Sequence, residues 1–140
     1  MFRRGVTLLE LLVVLVIVGI VASLALPGIR RHVLRVHRTE AMTALLALQS
    51  AEETFYLRHG AYTDNITAAP PAGLGLSAGS ASNKYRLSIA LAADAQTYVA
   101  TATPSPEGGQ SADQECQSFS VDARGRRAVS GSRDSLFCWR

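Results

Sequence analysis

The chain has 140 residues, 48% of them hydrophobic, with 14 lysines and arginines against 11 aspartates and glutamates. That length holds one small domain and at most a short appended element. The formal net charge is +3, and Arg3 and Arg4 supply two of those charges, which excludes an overall basic field of the kind that draws a whole protein onto nucleic acid.

The large aliphatic residues crowd into the first thirty positions, while the rest is rich in Ala, Ser, Thr and Gly. A core built from the later residues alone is small and benefits from a covalent staple. Cys116 and Cys138 offer one. An even cysteine count behind an export-type N-terminus suggests a disulfide outside the cytoplasm, the alternative being two reduced and unrelated thiols.

Residues 6–29 read VTLLELLVVLVIVGIVASLALPGI. As a helix this run rises about 36 Å, enough to cross a hydrocarbon core of about 30 Å. Arg3 and Arg4 before it favour a cytoplasmic N-terminus, although Arg30, Arg31, Arg35 and Arg38 after it weaken any orientation drawn from charge alone. Ala22-Ser23-Leu24-Ala25 imitates a secretory cleavage site, but the apolar run is long for a signal peptide and carries Glu10. An ionised carboxylate among leucines and valines costs about 2.5–3.5 kcal/mol even on lenient insertion scales. Either Glu10 lies near the headgroups and reaches water, or it is kept for a cationic partner met when the segment leaves lipid.

Gly5-Val6-Thr7-Leu8-Leu9-Glu10 followed by a long apolar run resembles the class III signal of type IV pilins and pseudopilins. The resemblance implies a five-residue leader (1–5), cut between Gly5 and Val6 by a prepilin peptidase that also N-methylates Val6. Glycine at the cut lets a protease approach the backbone closely. Val6 stands where the family usually has phenylalanine, which bears on processing efficiency. Glu10 becomes the fifth residue of the mature chain, and the resemblance assigns it to pair with the Val6 amine of a neighbouring subunit. It further implies a single-pass subunit of the inner membrane with a periplasmic C-terminal domain. The inner-membrane assembly platform then passes that subunit into an extracellular pilus beside other pilins. Gly19 and Pro27 weaken a helix. In the family they bracket a stretch that loses helical order in the filament, so 19–27 is the candidate here, with a plain proline kink as the alternative.

Helical periodicity continues over 30–59. Ile29, Val33, Val36, Leu45, Leu48, Ala51 and Phe55 form an apolar stripe bridged by Ala41, and Gly60 is a natural stop. A helix over 6–59 is about 80 Å long. Arg30, Arg31, Arg35, Arg38, Glu40, Glu52 and Glu53 fall on the opposite face. The four arginines with His32 and His37 read as a solvated collar beside headgroups, or as a surface for acidic patches of adjacent subunits. Glu52 and Glu53 read as exposed charge rather than as an acid–base pair. His32, His37 and His59 lack metal-site spacing, so no metal and no cofactor are expected. The stretch Glu52–Thr63 resembles the helix end and following turn of PilE-like minor pilins.

Residues 60–83, with Pro70-Pro71, read as a long αβ-loop. Alternation over 84–91 and 96–103 predicts an antiparallel hairpin, closed off by Pro104 and Pro106. Residues 118–122 and 126–129 predict two further strands around Gly125. The expected fold is α+β, a pilin fold in which a long N-terminal helix packs on a small antiparallel sheet within 84–140. A Cys116–Cys138 bond closes a loop of about 23 residues and contributes about 3 kcal/mol in the chain-entropy model. The Phe137-Cys138-Trp139 tail resembles PilE-like minor pilins, where two C-terminal cysteines bracket a variable loop. Arg124, Arg126, Arg127 and Arg133 in that loop, with Arg140 beyond it, read as solvated charge. No aromatic pattern for stacking bases accompanies them, so DNA is disfavoured as a partner.

The expected function is that of a minor pilin, a structural subunit in pilus assembly and hence in twitching motility, adhesion or DNA uptake. One alternative is a pseudopilin of a type II secretion system, against which Asp113, Glu115, Asp122 and Asp134 are scattered without a calcium-ligand pattern. The other is a DNA-binding or adhesin module displayed on the pilus. No nucleophile elbow, phosphate-binding loop or zinc motif occurs, so no catalytic residue is assigned and no enzyme is expected.

Overall fold

A computed structural model describes residues 6–140, which fall into two compact units, one ending at Arg35 and one spanning Val36–Arg140. Gly5, half of the expected cleavage site, lies outside the described residues. One helix, α1 (Leu8–His59), begins in the first unit and ends in the second.

The start of α1 is fixed by Thr7. Its hydroxyl accepts the Glu10 N–H at 3.2 Å and its carbonyl accepts the Leu11 N–H at 3.1 Å. Thr-x-x-Glu is the capping-box pattern, and a carboxylate in the first turn faces the positive end of the helix dipole. Local chemistry therefore gives Glu10 a second reason for its position. The apolar side chains that follow are bare, from Leu8 at 81% to Ile29 at 58% exposed. Such a surface needs lipid or other helices around it. α1 runs without interruption through Gly19 and Pro27, so the loss of order expected between them is not a feature of the single subunit.

In the second unit the helix acquires a cover. Ala41, Leu45 and Leu48 recur at helical spacing and are all fully buried. Gly60 ends the helix in the left-handed region at φ +72, donating its N–H to the Tyr56 carbonyl at 2.8 Å. The cover is a four-stranded antiparallel meander: β1 (Tyr85–Leu91), β2 (Tyr98–Pro104), β3 (Phe119–Asp122) and β4 (Arg127–Val129). Register places Leu87 beside Ala102 and Ala102 beside Phe119, and likewise Ile89, Ala100 and Val121. The central strand thus contributes small side chains between large ones, and both alanines are fully buried. The expected hairpin and the two later strands are present. Between α1 and β1 the chain forms no helix or strand; Ile66 and Leu74 anchor it to the core, and Pro70-Pro71 is cis.

After β2 come a 3-10 turn, Gln110–Ala112, and after β4 a short helix, α2 (Ser135–Cys138). Cys116 and Cys138 are bonded, with Cα atoms 5.8 Å apart, so the two-thiol alternative falls.

Three side-chain assignments are corrected. Arg38, expected on the solvated collar, is only 7% exposed. Its Nε donates to Asp113 Oδ2 at 2.6 Å, and its Nη2 to Asp113 Oδ1 at 2.7 Å and Glu115 Oε2 at 3.0 Å. Glu52, expected on the same face, is fully buried. Ile29, Val33 and Val36, expected in the covered stripe, remain 44–58% exposed. The cause is common to all three: the sheet and its flanking loops cover α1 only from about Arg38 onward, and they cover a wider arc than one apolar stripe. An isolated carboxylate or guanidinium buried there costs about 3–5 kcal/mol when its partner is removed.

Candidate functional site

The residues assigned to assembly sit at the start of α1. Val6 is 67% exposed, and Glu10 is exposed one turn further on. Arg30, Arg31 and Arg35 are exposed as the collar reading expects, without Arg38. His37 turns inward to Glu40, with Nδ1 3.0 Å from Oε1. Burial works against Glu40, but the Ser82 hydroxyl and N–H and the His37 ring outweigh it and hold its carboxyl below the usual range. No cluster of potential metal ligands occurs among the described residues.

At the other end of the sequence, β3, β4 and α2 gather five exposed arginines: Arg124, Arg126, Arg127, Arg133 and Arg140. Over 117–140 these face only two acidic side chains, Asp122 and Asp134. Each aspartate has a structural task. Asp122 accepts the Arg124 and Arg126 N–H groups at 2.9 Å and Arg126 Nε at 2.6 Å, closing the β3–β4 turn around Gly125, whose φ is +76. Burial opposes ionisation of Asp122, yet those Arg126 and Arg124 hydrogen bonds win and lower its pKa. Asp134 caps α2 by accepting the Phe137 N–H at 2.9 Å. The charge of Arg126 is therefore largely offset, while Arg124 and Arg140 project without a side-chain partner among the described residues.

Aromatic rings do accompany this face, contrary to the sequence reading. The Arg127 guanidinium lies 4.9 Å from the centroid of the Trp139 ring, and that of Arg133 lies 4.9 Å from Phe137. Trp139 donates its indole N–H to the Ala128 carbonyl at 3.1 Å and meets buried Phe119 edge-on at 5.7 Å. Arg127 and Trp139 are twelve residues apart and meet where α2, bonded through Cys138, lies beside β4, whereas Arg133 and Phe137 are four residues apart across the start of α2. Only the second pair has a local spacing. Thr7 is different: its role as a cap went unread in the sequence, although Thr-x-x-Glu is a local signal for it.

Arg38 ties this region to α1. Asp113 also accepts the Cys116 N–H at 3.3 Å and a hydrogen bond from Gln110 Nε2 at 3.3 Å, while Glu115 approaches Arg133 at 3.9 Å. Asp113, Glu115, Asp122 and Asp134, scattered in sequence, thus address Arg38, Arg126, Arg133 and a helix terminus.

Two family models match successive parts of the chain. The prokaryotic N-terminal methylation motif matches residues 1–26. The family described as type IV minor pilin ComP, DNA uptake sequence receptor, matches residues 27–120, more than half of the chain, and the chain belongs to that family. The type IV major pilin protein PilE1 of Neisseria gonorrhoeae is 36% identical over 90 residues, covering 64% of this chain and 40% of the relative. The major pilin PilA of Myxococcus xanthus is 34% identical over 111 residues, covering 76% and 46%. The fimbrial protein EcpC of Eikenella corrodens is 31% identical over 106 residues, covering 76% and 65%. The matched part thus spans less than two thirds of each of these relatives. A solved type IV pilin from Shewanella oneidensis is 23% identical, with a TM-score of 0.49 over 67% of this chain and 89% of that one.

Glu52 carries a pH-dependent consequence. Burial pushes its carboxyl from 4.5 up to about 7; the Thr63 N–H, donating to Oε2 at 3.2 Å, opposes this, and Glu53 and Asp64 add to it. Folded protein holds this proton to about pH 7 and unfolded chain releases it near 4.5, so stability falls as pH rises across that window and levels off above it. Thermal unfolding of the full chain in detergent is expected to show a lower Tm at pH 8 than at pH 5. Glu52→Gln keeps the Thr63 acceptor and should flatten that slope; an unchanged slope would remove Glu52 as its source.

Proposed function

We propose that this chain is a minor subunit of a type IV pilus that presents double-stranded DNA with a basic face. The observation that carries the reading is the group of exposed arginines on β4, in the β3–β4 turn and on either side of α2, four of them not offset by a carboxylate at hydrogen-bond distance. The family's own description as a DNA uptake sequence receptor supports it. The reading reverses the expectation against DNA, which rested on a basic loop read as solvated, on the lack of an aromatic pattern and on a modest overall charge. That average conceals a side-chain charge of +3 within 117–140, from five arginines and two aspartates. Local charge, not the average, meets the phosphates. The role is structural and binding rather than enzymatic.

For assembly, the proposal keeps the cut between Gly5 and Val6, N-methylation of Val6, and pairing of Glu10 with the Val6 amine of a neighbour. The exposed apolar surface of residues 6–29 supports a stay in the inner membrane, with the later unit periplasmic, before transfer by the assembly platform into the extracellular filament. There the neighbours' helices replace lipid, and loss of helical order between Gly19 and Pro27 belongs to that stage. Glu10 then exchanges water and headgroups for a cation, which offsets its burial.

Mass spectrometry of the mature protein should find N-methylated Val6 as its first residue, and Glu10→Ala should insert in the membrane yet enter few filaments. An intact Met1, or normal filament entry by the variant, contradicts the assembly reading.

Binding of the full chain in detergent to a duplex is expected to weaken with salt at a slope of about −3 in log–log form, as for three or four neutralised phosphates. No retention on duplex DNA at physiological salt would end the DNA reading.

A further inference from the structure

The exposed arginines of this face are not equivalent. Arg124 sits in the β3–β4 turn and Arg140 is the last residue, and neither rests on a ring. Arg127 and Arg133 each lie with the guanidinium 4.9 Å from an aromatic centroid. The residues that carry those rings are anchored, Trp139 through its ring and Phe137 through its backbone. Trp139 is pinned by its hydrogen bond to Ala128 and by its edge contact with Phe119. Phe137 precedes the bonded Cys138 on α2, and its N–H is fixed by Asp134.

A phosphate is satisfied by a mobile positive charge, because its oxygens accept from many directions. Reading a base edge is more demanding: the two donors of a guanidinium fork must meet two acceptors in one plane, as on guanine O6 and N7. A guanidinium already stacked on a fixed ring has lost most of its orientational freedom before DNA arrives, so less is lost on contact. The Glu115 carboxylate lies 3.9 Å from Arg133 Nε, beyond hydrogen-bond distance, so it does not engage the guanidinium in a hydrogen bond.

Building on the proposed DNA function, we infer that Arg127 and Arg133, steadied by Trp139 and Phe137, are the base-reading residues of the basic face and favour guanine. Arg124 and Arg140 hold phosphates and carry no sequence preference. Trp139 and Phe137 are positioning residues, acting through the arginines above them.

The test is selection of bound duplexes from a randomised pool by the full chain in detergent, followed by sequencing and affinity measurement. Wild type should enrich a motif with guanine positions. Arg127→Lys and Arg133→Lys keep the charge but lose the planar fork, so each should cut preference at its guanine by about tenfold while affinity for random duplex stays within about twofold. Arg124→Lys should leave the motif intact. Phe137→Leu should behave like Arg133→Lys, which a purely electrostatic role for Arg133 does not predict. DNA binding without any enriched motif, or lysine variants that keep the full motif, overturns the base-reading inference and leaves the DNA function standing. No binding by wild type overturns both.

Discussion

Arg38 leaves the solvated face of α1 to meet Asp113 and Glu115 inside the globular unit, and the course of the last quarter of the chain follows from that contact. A guanidinium with two hydrogen bonds to one carboxylate is directional as well as strong. It sets the 3-10 turn before Cys116 against the helix, and Asp113 in turn accepts the Cys116 N–H. The disulfide then carries the same constraint across to Cys138 and α2. Between these two anchors lie β3, β4 and every arginine of the basic face except Arg140. Hydrophobic burial by Leu45, Leu48, Tyr98 and Phe119 supplies most of the cohesion; the charge pair decides which segment goes where.

The two units solve opposite problems. The first carries an apolar surface with no cover of its own and a single carboxylate at its capped start. The second covers its part of the same helix with a small sheet whose central strand is built from alanines at the inner positions. On the proposed reading, the first unit is completed by other subunits and the second presents charge outward. Glu10 and Arg38 then have matching logic, since each is a charge on α1 that waits for a partner from elsewhere. Arg38 finds it within the chain, and Glu10 is proposed to find it on a neighbour.

Much of this architecture was legible in the sequence because periodicity reports it directly. Eight apolar and polar residues alternating over 84–91, a matching run over 96–103, and a helical stripe ending at Gly60 each leave a local signature. Arg38, Glu52 and the Arg127–Trp139 pair leave none. Arg38 and Asp113 lie far apart in sequence, and Arg38 shares its helical face with arginines that do stay in solvent. Burial of Glu52 depends on where the αβ-loop returns. Arg127 and Trp139 meet only through the disulfide. The support that Trp139 gives to Arg127 was therefore invisible, and the arginines between the two cysteines read as solvated charge without aromatic company.

If Arg38 and Asp113 preorganise the basic face, its affinity for DNA depends on a carboxylate that is buried and does not touch the ligand. Asp113→Asn removes a negative charge, so long-range electrostatics alone should tighten DNA binding slightly. The account predicts the opposite sign. Duplex affinity of the full-length variant, with its circular dichroism unchanged, should fall by about tenfold or more as the arginines lose their fixed spacing. Affinity equal to or tighter than wild type would contradict it.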